Sequence, residues 1–415
     1  MAVPRVFRRG DCRLCDSLDL VLVMSLGETP LANAFLRKDQ LDEPEPRFPL
    51  DLFLCRSCGH LQLRDVVDPE LLFRRYLYVS STSPVFVEHF RKYAEDIITG
   101  YHVARDSMVI EIGSNDGILL RPFQGAGMRV LGIDPAVDIA RKAGEDGIET
   151  WPCFFTEELA RRVRAERGPA AVVAANNVFA HADDLHGIVR GVKHLIEPGG
   201  IFVFEVSYLL DVYEKALFDM TYHEHLAYHS VKPLKRFLAR HGMELIETVR
   251  VPTHGGSLRG VAQVAGGPHA LQGSVAELVC RETEARLDQP ETFLGFARGI
   301  ARLKNELRGL LLDLRSKGNR IAGFGAPAKL TTLMHHFEIG SDLIEFVVDD
   351  SPLKQGLYTP GHRIPIVSSS RLYESRPDYV LILAWNFAEN IMGAHTAFAR
   401  QGGRFIIPLP KLEVW

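Results

Sequence analysis

Glu111-Ile112-Gly113-Ser114-Asn115-Asp116-Gly117 joins an apolar run, Met108 to Ile112, to the helix start Ile118-Leu119-Leu120-Arg121. The run is short, so it reads as a buried parallel strand. The two glycines have no Cβ, so a ligand can approach the backbone closely there. Free N–H groups at the following helix start would face that ligand. A second run, Val130-Leu131-Gly132-Ile133, ends in Asp134, 21 positions beyond Gly113. That is near the distance at which nucleoside-binding sheets place a carboxylate on ribose hydroxyls.

The stretch is E-x-G-x-x-x-G, not the dinucleotide fingerprint G-x-G-x-x-G. It is the form typical of S-adenosylmethionine (SAM) methyltransferases, and it makes Glu111, Gly113, Asn115, Asp116, Gly117 and Asp134 cofactor candidates. An ordinary strand-to-helix turn is the bland alternative. The ribose acid favours a nucleoside cofactor but does not by itself separate SAM from NAD.

Working outward, strand and helix alternate. Further strands are expected at Ala171–Ala175 and Ile201–Val206, the last preceded by the helix-ending Pro198-Gly199-Gly200. The alternation predicts a doubly wound sheet. Its carboxyl rim would carry Gly113, Asp134, Asn177 and Glu205, with His181 a few residues beyond Asn177. Asn177 is a candidate for the adenosine or methionine moiety. Phe86 to Ile98 reads as an amphipathic helix. Thr221-Tyr222-His223-Glu224-His225 interrupts the wind, and if helical it puts Tyr222 and His225 on one face. Ser230 is a plausible N-cap for a helix through Arg240, with Gly242 as its stop. Met243–Val249 and Gly260–Val264 form a closing hairpin. The turn between them holds His254, Gly255, Gly256 and Arg259, and it either turns the chain or contacts a phosphate.

Phe293, Phe296, Ile300, Leu303, Leu307, Leu310 and Leu314 recur at helical spacing. That helix introduces a second α/β unit. Arg320 to Phe324 is its first strand, followed by Gly325-Ala326-Pro327-Ala328-Lys329; Phe346-Val347-Val348 ends in Asp349-Asp350. Strands are also expected at Tyr379–Ala384 and Arg404–Ile407. The unit binds NAD or, in the other reading, the nucleotide part of a substrate, with Lys329 and the turn amides on phosphate.

At the other end, Cys12 and Cys15 form one C-x-x-C and Cys55 and Cys58 a second, with 39 residues between the pairs. Four thiolates suit a closed tetrahedral zinc site of structural type. Pro30, Pro44, Pro46 and Pro49 predict an irregular insertion between the knuckles. Tyr76 to Pro84, with Tyr78, Ser80 and Ser83, is either a linker or a sugar- or phosphate-facing wall.

The 415 residues exceed one usual core. They divide as a zinc unit at 1–75, a SAM-binding α/β unit at 76–265 and a second Rossmann-like unit at 266–415. A net charge of −4 speaks against a general nucleic-acid binder. No run of eighteen apolar residues predicts a membrane span. No apolar leader opens the chain, so a cytoplasmic protein is the expectation. The oligomeric state is open, a monomer included.

Together these pieces resemble the nucleotide-sugar C-methyltransferases of antibiotic deoxysugar pathways, over essentially the whole chain. The resemblance rests on the paired C-x-x-C, E-I-G-S-N-D-G at 111–117, Y-H-E-H at 222–225, T-H-G-G-S-L-R at 253–259 and G-x-G-A-P-A-K at 323–329. It is nearest to the C-3 methyltransferases acting on dTDP-3-amino-4-keto-2,3,6-trideoxyglucose. Phe324 stands where many relatives carry tyrosine, and Leu330 where a small residue is usual. The resemblance implies SAM and zinc as cofactors and a dTDP-sugar as substrate. Carbon methylation beside a ketone wants a base near neutral pKa, which makes His225 the base, Glu224 its orienting partner, and Tyr222 and His181 candidates for donor or proton relay; the resemblance supports these positions and leaves the roles open. Tyr76, Tyr78, Ser80, Ser83, His254, Gly255, Gly256, Arg259, Phe324, Gly325, Ala326, Lys329 and Asp350 are the candidates for the sugar nucleotide. Alternatives are methylation at C-5, and a zinc-knuckle RNA or protein methyltransferase, which would want a basic face. An NAD-dependent sugar enzyme and a non-catalytic binding protein complete the set.

Overall fold

The computed structural model describes residues 6–74, 79–82 and 84–415. Tyr76, Tyr78 and Ser83 lie outside the described residues.

A seven-stranded sheet forms the centre. Its spatial order is Met243–Val251, Ser257–Val264, Ile196–Ser207, Ala170–Asn176, Met108–Ile112, Arg129–Ile133 and Thr150–Trp151. Met108–Ile112 runs parallel to Arg129–Ile133 on one side and to Ala170–Asn176 on the other. The wind reverses direction at this strand, so the glycine-rich loop that follows it sits at the topological switch point, where open α/β sheets hold ligands. Ser257–Val264 is antiparallel to both neighbours, giving the expected hairpin. The inner strands are mostly apolar because helices cover both faces; Val109, Ile110, Val172, Val173 and Val203 are fully buried. The helix Glu157–Arg167 shows the end chemistry of the flanking layer. Thr156 caps it by accepting from Leu159 N at 3.1 Å, acids fill its first turn and Arg164 and Arg167 its last.

The C-terminal sheet has the order Ile366–Val367, Val347–Val348, Ile321–Phe324, Tyr379–Ile382, Arg404–Ile407, Glu413–Val414. In chain order that is 3-2-1-4-5-6, the dinucleotide-fold arrangement, with the last strand antiparallel. The helix Pro290–Ser316 leads into it and buries Phe293, Ile300, Leu307, Leu311 and Leu314 along one face.

The zinc unit corrects one expectation in part. Its insertion holds a regular hairpin, Leu20–Thr29 paired antiparallel with Phe48–Cys55, while the tip between them, 30–47, is mostly irregular as expected. Leu20-Val21-Leu22-Val23-Met24 is a strand-forming run, and the prolines lie at or beyond its far end. The sheet is completed by Leu61–Leu63 and, at its edge, by Ala227–Tyr228 from the middle of the chain. One apolar cluster runs through all three units, from Leu50 and Leu54 through Phe204 and Leu234 to Leu333 and Ile364.

Candidate active site

The loop after Met108–Ile112 is shaped for a ligand. Gly113 has φ +68°, and a Cβ there would meet Val178 Cγ2 at 2.1 Å. Asn115 and Asn177 also adopt positive φ, at 47° and 53°. Asp134 accepts from the backbone N–H of Asn115 and of Ala136, each at 2.8 Å. The acid at the second strand thus fixes the loop after the first, and burial pushes its carboxyl above the usual range. Glu111 is buried and accepts from Asn176 Nδ2 at 3.1 Å; burial raises its carboxyl further still. Glu111 Oε2, Asp116 Oδ1 and Asn176 Oδ1 are buried without a hydrogen-bond partner among the described residues. Such acceptors fit a ligand rich in donors, as the hydroxyls and ammonium of SAM are. Gly117 closes the turn by donating to Ser114 O at 2.9 Å. Ser80 N donates to the Asn115 side chain at 3.0 Å, bringing the connecting segment to the loop.

Beyond the loop lies a row of rings. Tyr222 and His225 have centroids 4.0 Å apart, His225 and His181 4.9 Å, His181 and Phe73 5.8 Å. The segment Tyr222–His225 is a turn rather than a helix, closed by His225 N donating to Tyr222 O at 2.8 Å. The turn brings Tyr222 and His225 together as a helix face would have done. His225 is 6% exposed, while Tyr222 and His181 are half-buried. Glu224 accepts from Asn33 Nδ2 at 3.0 Å, a zinc-unit residue that no local signal marks. His223 points away and bonds the carbonyl of Phe48 at 3.1 Å; burial pushes it down to about 4.

The sugar-nucleotide candidates are scattered. Arg259 is buried and donates to Glu205 at 2.7 Å, its guanidinium 4.0 Å from the centroid of Tyr93, so it does not face the turn. Gly255 and Gly256 lie against Leu217 and Asp211. The His254 side chain lies outside the described residues. Phe324 is buried in the C-terminal core, and Asp350 is exposed. The amides expected on phosphate are already used: Gly325 N donates to Val348 O at 2.7 Å and Ala326 N to Asp349 Oδ2 at 2.7 Å. Lys329 is buried, with Nζ 3.6 Å from Asp219 and 4.2 Å from the Trp385 ring centroid. The Trp385 indole donates to the same carboxylate at 2.6 Å. Thr332 Oγ1 donates to Thr221 O at 2.5 Å. The start of the C-terminal helix therefore grips the chain just ahead of Tyr222.

The ligand atoms of Cys12, Cys15, Cys55 and Cys58 lie within 4.8 Å of one another. Cys12–Cys58 and Cys15–Cys55 sulfurs are 3.6 and 3.5 Å apart. A tetrahedron with zinc–sulfur bonds of about 2.3 Å has edges of ~3.8 Å, so the cage fits zinc. Hydrogen bonding to Cys55 pushes the Cys12 thiol up to about 12, while Cys55 is driven down. Four thiols this close cannot all ionise without a cation between them.

Three family profiles cover the chain in succession. They are a zinc binding domain over residues 12–73, a methyltransferase domain over 87–248 and a C-methyltransferase C-terminal domain over 252–410. C-methyltransferase NovU of Streptomyces niveus is 36% identical over 404 residues, 97% of this chain and 96% of that protein. A ubiquinone biosynthesis O-methyltransferase of Methylobacterium sp. (strain 4-46) is 30% identical over 23% of this chain and 38% of its own. Among solved structures, the PH0226 protein of Pyrococcus horikoshii OT3 aligns with TM-score 0.36 at 16% identity, over 45% of this chain and 94% of its own; that likeness is too slight to bear on function.

Proposed function

Because this chain belongs to the SAM-dependent C-methyltransferases, we propose that it methylates C-3 of a dTDP-linked 4-keto deoxyamino sugar through a base-generated enolate. The reading is carried by the Tyr222–His225–His181 ring row, on segments that follow the carboxyl rim of the cofactor sheet. Methylation beside a ketone needs a proton removed from the carbon that will carry the methyl. Histidine is the natural base near neutral pH. His225 takes that proton on an imidazole nitrogen, and the C–H electron pair becomes the enolate. Tyr222 O–H donates to the enolate oxygen, where the charge gathers. SAM, when bound, supplies the electrophilic methyl that this carbon accepts. Its cradle is the loop from Gly113 to Gly117 with Asp134, Asp116 and Asn177; Asn33 and Glu224 steady the turn that carries His225. Zinc is structural, with its four-sulfur shell closed.

The sugar follows from the Y-H-E-H and T-H-G-G-S-L-R motifs and their resemblance. The C-terminal unit has the strand order of nucleotide-holding sheets, and we assign it the nucleotide portion of the substrate. Lys329, paired with Asp219, is not given a phosphate role. Incubation with labelled SAM and a panel of dTDP-4-keto sugars, read by mass spectrometry, tests the reading. Methyl transfer to C-3 of the 3-amino sugar is expected. Transfer to C-5 or to no sugar in the panel would overturn the assignment.

A further inference from the structure

Arg13 lies inside the first C-x-x-C, between Cys12 and Cys15. Its side chain is 0% exposed. Nε donates to Asp183 Oδ1 at 3.1 Å, and Nη1 donates to the carbonyls of Leu63 and Leu226, the latter at 3.4 Å. Asp183 stands two residues beyond His181, and Leu226 directly follows His225. One guanidinium therefore joins the two backbone segments that carry the stacked imidazoles.

Independent bonds keep those segments in the same register. Leu63 N donates to Leu226 O at 2.9 Å, and Ala227 N donates to Ala180 O at 3.1 Å. Asp184 caps the helix Leu185–Leu195 by accepting from Gly187 N at 2.7 Å, which fixes its neighbour Asp183. Arg9 donates to the carbonyl and carboxylate of Asp183, both at 3.2 Å. The Arg13 backbone is held in turn, its N–H donating to Gln62 Oε1 at 2.9 Å.

We infer that Arg13 is a positioning residue for methyl transfer: from its place between two zinc ligands it sets the spacing of the His181 and His225 segments. The inference rests on the reading of His225 as the base. Burying a guanidinium is costly unless it is paired and hydrogen-bonded. An apolar side chain would fill the same space without that cost but could not bond three acceptors on three segments. Lysine, a compact point charge, could not reproduce the fork either. The zinc knuckle thereby becomes part of the catalytic frame, not merely a cap on the N-terminal unit.

The test uses zinc-loaded, full-length protein with Arg13→Lys, Arg13→Met and Asp183→Asn, and His225→Asn as reference. The substrate probe is dTDP-3-amino-4-keto-2,3,6-trideoxyglucose. Zinc content, SAM affinity and KM should hold. The kcat and the rate of solvent deuterium exchange at the substrate carbon should fall together by about ten- to a hundredfold, the range for loss of a supporting partner. Arg13→Lys should retain part of what Arg13→Met loses. In histidine-labelled protein without substrate, the ring resonances assigned to His181 and His225 should move in Asp183→Asn while those of His335 and His362 stay. Asp183 is partly exposed, so its variant remains informative should Arg13→Met fail to fold. Loss of exchange in His225→Asn, with unchanged kcat and unmoved resonances in Arg13→Lys and Asp183→Asn, would overturn this inference alone. Exchange that survives His225→Asn would overturn the choice of base and this inference with it.

Discussion

A buried histidine can serve as a base or as a neutral filler, and the proposed mechanism makes His225 the first kind. For His225 the expected result is specific: His225→Asn should abolish deuterium exchange and methylation while SAM still binds by calorimetry. Tyr222→Phe should lose less, on the order of 10²–10³ in rate, as for a lost oxyanion donor. If Tyr222→Phe abolishes exchange and His225→Asn spares it, the roles are exchanged. His223 and His229 are the neutral kind, both held down to about 4 by burial. The unfolded chain takes up their protons below the ordinary value near 6.5, and the folded chain only near 4. Stability is therefore full above about pH 6.5 and declines toward 4, by on the order of 3 kcal/mol per group. Urea midpoints between pH 7 and 4.5 should fall accordingly, and a flat profile would contradict the assignment. The four cysteines and Tyr222-His223-Glu224-His225 were legible because their chemistry depends on local spacing. Asn33, Arg13 and Asp183 were not, because their partners lie 191, 213 and 170 positions away.

Elements were legible where periodicity was strong, as in the central strands and the helix Pro290–Ser316. Their ends were less so. Ser230 occupies the N-cap of Val231–Arg240 but makes no side-chain cap. Glu282, 51 residues further on, accepts from Val231 N at 2.6 Å and Lys232 N at 2.9 Å. It also accepts from Tyr208 O–H at 2.8 Å. A tertiary carboxylate has replaced the local cap. Ser230→Ala should consequently cost under about 0.5 kcal/mol, less than a typical cap substitution. Glu282→Ala strands two amide donors and a buried phenol and should cost ~2–4 kcal/mol. Equal losses in denaturant melts would restore Ser230 as the cap.

At the scale of the molecule, the Asp219–Lys329–Trp385 clasp joins the C-terminal unit to the chain before Tyr222. Burial pushes both Asp219 and Lys329 toward their neutral forms, and their pairing opposes it. Asp219→Leu should therefore destabilise by ~3–5 kcal/mol, and adding Lys329→Met should recover much of that. A double variant no more stable than the single would show that the charge pair is not what matters. No helix among the described residues is long and apolar enough to cross a membrane. The shared core was not legible in the sequence, because apolar periodicity tells which face is buried and not against what. The edge strand Ala227–Tyr228 carries this interdependence into synthesis. The zinc sheet is made first, yet its outer edge at Leu61–Leu63 waits for a strand some 165 positions later. At ribosomal rates that delay is on the order of ten to thirty seconds. Through it the nascent chain shows an unpaired edge, which invites neighbouring chains to pair there. Slower translation between those points should then lower soluble yield, and a truncated chain ending before Ala227 should self-associate even with its zinc in place.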